Sequence, residues 1–326
     1  MTRVVEVHTG ARLHFGLFST GRTDGRLGGI GLMIDRPGFV LRGRHSDADA
    51  VEGDDAAAVE RVRRWLWELM KLRRAAADRR GIEPAFLQIE VVESIPAHHG
   101  FGSGTQLALA LADLLSALRI VFIGDRAKTF CRGHRSVVGT LGYDHGGFVV
   151  DAGDSQADRF DHRVILQHVP AAWRFVMVEP AASGTCSGTA ETEAFRTLPA
   201  MPSAVSDRLG NLTAEAILPG LAGGDFHGFA SGVAAFNLLV GEHFAPVQGG
   251  VYAHPLIRDL SRTLAGTDWP HFAQSSWGPA GAVFCEDQDS AESLAAFLDN
   301  SLSQASANVF IASPQNDGAV VETIEA

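Results

Sequence analysis

One short stretch, residues 95–106, constrains what this chain can fold into more than any other. It reads Ile-Pro-Ala-His-His-Gly-Phe-Gly-Ser-Gly-Thr-Gln, follows a β-like run at 86–92 and precedes an apolar run at 107–118 that contains neither Gly nor Pro. This order predicts a strand, a glycine-rich turn and a buried helix. Such a turn directs successive backbone N–H groups and the positive end of the helix dipole toward one point, so we expect an anion site with phosphate as its ligand.

The residue types in this turn have separate uses. Gly100, Gly102 and Gly104 allow backbone angles that other residues resist and let a phosphate approach the main chain, while Ser103 and Thr105 add hydroxyl groups. The spacing lacks the Lys of Gly-x4-Gly-Lys-Ser/Thr, and no acidic ribose ligand follows about 20 residues later, as a dinucleotide fold requires. Taken alone, Gly-x-Gly-x-Gly fits equally well a tight connection in which Ser or Thr caps the helix.

Composition narrows the class of protein. The 326 residues are 46% hydrophobic, which supplies a core for one large or two medium domains. A net charge of −11 argues against a general binder of nucleic acid or anionic membranes, although a local basic pocket remains compatible with it. The three cysteines are widely spaced, so neither a disulfide framework nor a cysteine-based zinc site is expected. With no long apolar segment at its start, the sequence predicts a cytoplasmic protein.

Two loop or strand segments carry further candidate ligands. In residues 11–18 the apolar side chains fall on one face of an extended strand, and Arg12 and His14 fall on the other. Arg132 and Arg135 lie in a loop with Gly and Ser, where guanidinium groups can hold a phosphate through two parallel hydrogen bonds. The residue patterns leave alternatives open, because His14 also fits a satisfied polar residue beside a core strand and the arginines also fit surface charge.

The rest of the chain alternates strands and helices. Helical spacing of apolar residues predicts a long helix over 56–80, after an acidic loop at 47–55. In the second half we predict helices at 203–218, 225–244, 255–264 and 290–302. The apolar stripe of the second of these is predicted to face the core. A domain boundary is predicted near residue 170.

The central turn resembles a known phosphate-binding signature. Pro96-x-x-x-Gly100-x-Gly102-Ser103 is similar to the second signature of the GHMP kinase superfamily, Pro-x-x-x-Gly-Leu-Gly-Ser-Ser-Ala, which in those enzymes wraps the phosphates of ATP. Here Gly104-Thr105-Gln106 stands in place of the usual residues. The resulting Gly-x-Gly-Ser-Gly-Thr-Gln resembles the β-ribofuranosylaminobenzene 5′-phosphate synthases, a branch of the superfamily that is not a kinase.

Three further stretches resemble that family in the expected order. They are Ala11-Arg-Leu-His-Phe-Gly-Leu, Arg132-Gly-x-x-Ser136-x-x-Gly139 with Gly146-Gly-Phe, and Gln274-Ser-Ser-Trp-Gly-Pro. The resemblance implies an α+β, GHMP-type two-domain fold. Residues 1–170 would form a phosphate-binding domain like domain 2 of ribosomal protein S5, and residues 171–326 a ferredoxin-like domain.

The resemblance also implies a reaction. 5-Phosphoribosyl diphosphate would condense with 4-aminobenzoate or 4-hydroxybenzoate, releasing diphosphate and carbon dioxide and forming a carbon–carbon bond, as a step of tetrahydromethanopterin synthesis. Mg²⁺ is the implied cofactor, and a homodimer is the expected assembly. Two alternatives remain open: an ATP-dependent small-molecule kinase of the same superfamily, and a ligand sensor on this fold without catalysis.

Site roles follow from motif position within this resemblance. The residues expected to take part in catalysis are His14, Ser103, Gln274 and Ser275, with the Ser103 hydroxyl also as a Mg²⁺ ligand. The residues expected to bind substrate or phosphate are Arg12, Gly100, Gly102, Ser103, Gly104, Thr105, Gln106, Arg132, Arg135, Ser136 and Ser276.

Overall fold

The computed structural model describes residues 3–18, 27–81, 83–130, 136–153, 164–181, 193, 197–302 and 306–324. The strands are β1 (Val4–Phe18), β2 (Gly28–Ser46), β3 (Ala50–Gly53), β4 (Phe86–Glu93), β5 (Phe148–Asp151), β6 (Val164–Gln167), β7 (Arg174–Pro180), β8 (Phe272–Gln274), β9 (Gly281–Cys285), β10 (Ala307–Ala312) and β11 (Val320–Ile324). The helices are α1 (Ala56–Glu68), α2 (Met70–Arg80), α3 (Ser103–Ala117), α4 (Arg126–Thr129), α5 (Val138–His145), α6 (Ser203–Leu212), α7 (Leu218–Gly223), α8 (Phe226–Gln248), α9 (Pro255–Leu264) and α10 (Gln288–Ser301), with a π-helical turn, Thr213–Ile217, between α6 and α7.

The first sheet is built on two long strands, β1 and β2, which pair antiparallel along most of their length. Its main path runs β11-β1-β2-β4-β3. The other edge of β2 changes partner, pairing with β5 over residues 29–32 and with β4 over residues 40–46. The start of β2 and the end of β5 are therefore held beside the second half of β1, where Arg12 and His14 lie.

Helix α3 lies across this sheet and is buried nearly all round. Residues 106–112, together with Leu114 and Leu115, are buried, as a run without Gly or Pro and with few polar side chains predicts. The helix packs on β1, β2 and α5. Because its body is fixed in the core, its first turn has a fixed position above β1.

The second sheet has the order β10-β7-β9-β8 with antiparallel pairing throughout. Helices α6 to α9 connect β7 to β8, and α10 connects β9 to β10. This is the strand order and connection pattern of a ferredoxin-like domain. Side chains of one face join the main core with α8, and those of the other face form a second core with α9 and α10. The fold class predicted from the sequence is confirmed.

Several element predictions differ from the structure. The helix predicted over 56–80 is divided at Leu69 into α1 and α2. The segment predicted as an acidic loop contains the short strand β3, because Val51 is buried and the segment pairs in parallel with β4. The helix predicted over 203–218 extends to Gly223 through the π-helical turn, which shifts its hydrogen-bond register.

The end of the chain returns to the first sheet. Strand β6 ends at Gln167 and β7 begins at Arg174, so the strands change sheet near residue 170. Strand β11, however, pairs antiparallel with β1. The range 171–326 therefore contains one strand of the first sheet. None of the helices among the described residues is both long and apolar enough to cross a bilayer.

Candidate active site

Three segments that are far apart in sequence meet beside the second half of β1. The backbone N–H of Arg12 donates to the carbonyl of Phe101 (3.0 Å), which joins β1 to the glycine turn. The N–H of Ser276 donates to the carbonyl of His14 (2.7 Å), which joins β1 to the turn after β8. Three of the four stretches that carried the family resemblance thus form one site.

Ser275 fastens these segments together. Its hydroxyl donates to the carbonyl of Gly100 (2.7 Å) and accepts from the backbone N–H of His14 (3.1 Å), and the residue is completely buried. The hydroxyl therefore connects the glycine turn to β1. A β-carbon added to Gly100, whose φ is +97°, would lie 2.5 Å from the carbonyl oxygen of Ser275, so this contact requires glycine.

Helix α3 begins without a side-chain cap. Its N-cap is Gly102 in the left-handed conformation, whereas α1, α8 and α10 begin at aspartates whose side chains accept backbone hydrogen bonds. In the described part of the chain, neither the N–H groups of Ser103 and Gly104 nor the Ser103 hydroxyl has a hydrogen-bond acceptor. This helix end therefore has N–H groups and the positive end of its dipole without a capping side chain, an arrangement that suits an anion.

The Arg12 side chain lies directly against this helix end. A β-carbon added to Gly102 would lie 3.0 Å from the Arg12 Nε, and one added to Gly139 would lie 3.6 Å from the same atom. One terminal nitrogen of Arg12 donates to the Ser276 hydroxyl (2.5 Å). The guanidinium is thus fixed between the starts of α3 and α5, where its charge adds to the field at the α3 terminus.

His14 is a buried, neutral imidazole in the same place. Its side chain is only 7% exposed, and burial, followed by the nearby charge of Arg12, holds its pKa well below the ordinary value. Its Nδ1 accepts a hydrogen bond from the N–H of Gly16 (3.3 Å), so the proton of the neutral ring is on Nε2. The ring lies against Gly29, where an added β-carbon would lie 2.9 Å from Nε2. His14 can therefore donate a hydrogen bond through Nε2.

The two glutamine amides at the site bind protein groups at both ends. Gln106 accepts from the Thr9 hydroxyl (2.6 Å) and donates to the carbonyl of Gly139 (3.1 Å). Gln274 accepts from the N–H of Ala253 (2.7 Å) and donates to the carbonyl of Ser276 (2.9 Å). Both side chains hold the backbone around the site, Gln106 by tying α3 to the start of α5.

The remaining predicted residues divide into two groups. Thr105 lies in the first turn of α3 with its side chain beside Gly139, and the Ser136 hydroxyl accepts from the N–H of Val138 at the start of α5. Thr105 therefore lies between the starts of α3 and α5, and Ser136 caps the start of α5. Arg132 and Arg135 lie outside the described residues, so their predicted phosphate contacts stay predictions.

Two supporting residues were missed from the sequence. Asp151 is completely buried and accepts from the N–H groups of Val137 and Gly153 (3.0 Å each), which fixes the start of α5. Asn237, in the apolar stripe of α8, donates to the carbonyls of Phe15 and Gln274 and accepts from the Gln274 N–H. Each has a signal in the sequence that could have identified it: Asp151 is an acid at the end of an apolar strand, and Asn237 is an amide inside an apolar helix.

The described residues hold no cluster of three or more His, Cys, Asp or Glu side chains arranged for a metal ion. Burial raises the pKa of the Cys285 thiol to about 12, which makes it a poor nucleophile.

Solved structures similar to this chain define the class of fold. Mevalonate diphosphate decarboxylase from Staphylococcus aureus superposes with a TM-score of 0.65 at 13% identity, covering 100% of this chain and 99% of that one. Homoserine kinase from Cytophaga hutchinsonii gives 0.59 at 16% identity, covering 98% and 97%. The chain has the fold of the GHMP kinases. No protein-family model matches it.

Relatives found by sequence indicate a particular kind of enzyme. The chain is 28% identical to the β-ribofuranosylphenol 5′-phosphate synthase of Methanothermobacter thermautotrophicus over 84% of its own length and 86% of that enzyme. It is 32% identical to the synthase of the same name from Archaeoglobus fulgidus, over 48% of this chain and 47% of that one. The chain is a homologue of these synthases, which confirms the resemblance carried by its motifs.

Proposed function

We propose that this protein is a phosphoribosyltransferase that joins 5-phosphoribosyl diphosphate to 4-hydroxybenzoate or 4-aminobenzoate, with release of carbon dioxide and diphosphate. The observation that carries the proposal is the uncapped start of α3 with the Arg12 guanidinium fixed against Gly102. Homology to the named synthases supports it. Their name refers to a phenol, which makes 4-hydroxybenzoate the first substrate to test.

The bonds broken and formed in the proposed reaction account for all electrons, so no external oxidant is needed. The bond from ribose C1 to the diphosphate oxygen breaks, and its electron pair leaves with diphosphate. The ring carbon that bears the carboxylate then forms a bond to C1. Breaking the bond to the carboxylate carbon returns an electron pair to the ring and releases carbon dioxide. The site must stabilise the leaving diphosphate and the positive charge that develops at C1.

The start of α3 suits the leaving diphosphate. Negative charge grows on that group as the bond breaks, and the N–H groups of Ser103 and Gly104 and the Arg12 guanidinium lie together at one helix end. These groups are held by the core packing of α3 and by the bond from Arg12 to Ser276, so they need little reorganisation. Their interactions therefore strengthen in the transition state.

The site also fits Mg²⁺ bound mainly through the substrate. The Ser103 hydroxyl, which binds no other described residue, would be a ligand together with phosphate oxygens and water, as Mg²⁺ prefers. When bound, the ion would neutralise charge on the diphosphate.

Arg12 is better suited to diphosphate than to the benzoate carboxylate. A carboxylate must lose its charge when it leaves as carbon dioxide, and an ion pair with arginine stabilises the charged ground state. The carboxylate therefore belongs in a less polar part of the site. His14, neutral and with its proton on Nε2, would donate a hydrogen bond to a substrate oxygen and would not act as a base.

A turnover assay tests the proposal. The protein, 5-phosphoribosyl diphosphate and Mg²⁺ are incubated with each benzoate, and diphosphate and carbon dioxide are measured. We expect both products in equal amounts, and loss of activity after EDTA that Mg²⁺ restores. ADP formation from ATP and an alcohol would instead establish a kinase. Binding of 5-phosphoribosyl diphosphate without turnover of either benzoate would establish a sensor.

We also propose a cytoplasmic homodimer that serves tetrahydromethanopterin synthesis. The wide spacing of the three cysteines supports the compartment, and homology to the named synthases supports the pathway. Light scattering coupled to gel filtration tests the assembly, and a mass near 34.7 kDa would indicate a monomer instead.

A further inference from the structure

In the glycine turn, residues with left-handed backbone angles alternate with residues whose side chains contact the second sheet. His98, Gly100 and Gly102 have φ values of +66°, +97° and +72°, and His98 is not a glycine. The side chains between them, His99 and Phe101, are the ones that can hold the turn to the rest of the protein. A turn with three left-handed residues keeps its shape only where its surroundings fix it.

The side chains of His99 and Phe101 both contact the second sheet. Phe101 is buried, and its ring lies 6.2 Å from that of Phe310 on β10. His99 places Nδ1 2.9 Å from Oε1 of Glu179 on β7, a short polar contact without the alignment of a good hydrogen bond. The carbonyl of His99 also accepts from the N–H of Ala280 (3.2 Å).

Glu179 is itself fixed. It is 8% exposed, and its other oxygen accepts from the side-chain amide of Asn308 on β10 (3.2 Å). A buried carboxylate is costly unless it is paired, so its position and that of His99 depend on each other. Neither residue is part of the proposed anion site, and neither is explained by the proposed chemistry.

We propose that His99 and Glu179 are a positioning pair, through which the second sheet fixes the glycine turn so that the N–H groups at the start of α3 converge on diphosphate. This inference rests on the proposed function. The pair acts only through the backbone of residues 99–104. Its loss should weaken binding of diphosphate and 5-phosphoribosyl diphosphate and leave recognition of the benzoate nearly unchanged.

The test is a double-mutant cycle of His99→Ala and Glu179→Gln on the full chain. Diphosphate binding in the presence of Mg²⁺ is measured by calorimetry, and KM is measured for both substrates. We expect each single variant to raise the diphosphate Kd about tenfold or more, since small misplacements of binding groups are costly. The double variant should be no weaker than the weaker single variant, because the pair is already broken.

His98→Asn is the matched control. His98 is the exposed neighbour of His99, and asparagine tolerates its left-handed backbone, so its Kd should stay within about twofold of wild type. If His99→Ala does not fold, His99→Gln replaces it in the cycle.

Two results would overturn the inference alone: single variants that bind diphosphate like the wild type but melt earlier, and single effects that add in the double variant. Wild-type protein that does not bind diphosphate would overturn both the inference and the proposed function.

Discussion

At the scale of single residues, the proposed site depends on two side chains, Arg12 and His14, that contacts with neighbouring residues hold in place. Arg12 meets Gly102, Gly139 and Ser276 at once, which a planar guanidinium can do and a point charge cannot. His14 is held in one tautomer by the N–H of Gly16.

Arg12→Lys should weaken 5-phosphoribosyl diphosphate binding. Lysine keeps the charge but loses the second donor and the flat surface against Gly102, so we expect kcat/KM to fall at least about tenfold, or about 1.4 kcal/mol. The control is Arg44→Lys, since Arg44 is exposed and bonds Gln88 away from the site. Equal kinetics in the two variants would remove Arg12 from the anion site.

His14 should make stability depend on pH. Because its folded pKa is below the ordinary 6.5, the unfolded chain binds the proton first as pH falls. Its contribution is full above about pH 6.5 and is lost below it, with a slope of at most about 1.4 kcal/mol per pH unit. Urea unfolding at pH 5 to 8 should show a smaller pH dependence in His14→Gln than in wild type. Identical curves would contradict a buried neutral His14.

At the scale of elements, the start of α3 is the decisive feature. The apolar run predicted a helix from residue 107, but the helix begins at Ser103. Its first turn is polar, so the apolar pattern does not include it. Gly102 supplies both the left-handed N-cap and the space for Arg12. The start of α3 and the position of the Arg12 side chain therefore both depend on Gly102.

Gly102→Ala should separate the effect of displacing Arg12 from the effect of backbone strain. Gly81 ends α2 with a similar φ of +65°, but a β-carbon there would meet nothing within 4 Å. Both substitutions should cost about 1–2 kcal/mol of stability for the left-handed backbone. Only Gly102→Ala displaces Arg12, so it alone should raise the diphosphate Kd. Equal Kd values in both variants would argue against a site at the α3 terminus.

At the scale of the whole molecule, the two sheets meet at the site through Asn237. Its amide bonds the carbonyl of Phe15 on β1 (2.7 Å) and both backbone groups of Gln274 on β8. Asn237→Ala leaves these buried groups without partners, so we expect a loss of about 1–3 kcal/mol in the free energy of unfolding. The neighbouring Leu238→Ala, on the exposed side of α8, should cost less, and the reverse order would contradict this role.

Sequence patterns predicted what depends on local order. The strand, glycine turn and helix around residue 100 and the buried stripe of α8 were predicted correctly from residue patterns, whereas the ferredoxin-like second half was expected only from the family resemblance. Partners distant in sequence were not predictable. The Ser275 hydroxyl meets Gly100 from 175 residues away, and Gln106 meets Thr9 from 97 residues away. Motif position therefore indicated that these residues belong to the site but not that their side chains bind the protein itself.

In the proposed reaction, carbon dioxide leaves from the benzoate as ribose C1 joins the ring. The most direct measurement uses 4-hydroxybenzoate, and then 4-aminobenzoate, labelled in the carboxyl carbon, with limiting 5-phosphoribosyl diphosphate and Mg²⁺. We expect one labelled carbon dioxide and one diphosphate for each 5-phosphoribosyl diphosphate consumed, and no labelled carbon dioxide with ATP in its place. Label that stays in the aromatic product with both benzoates while diphosphate is released would contradict it.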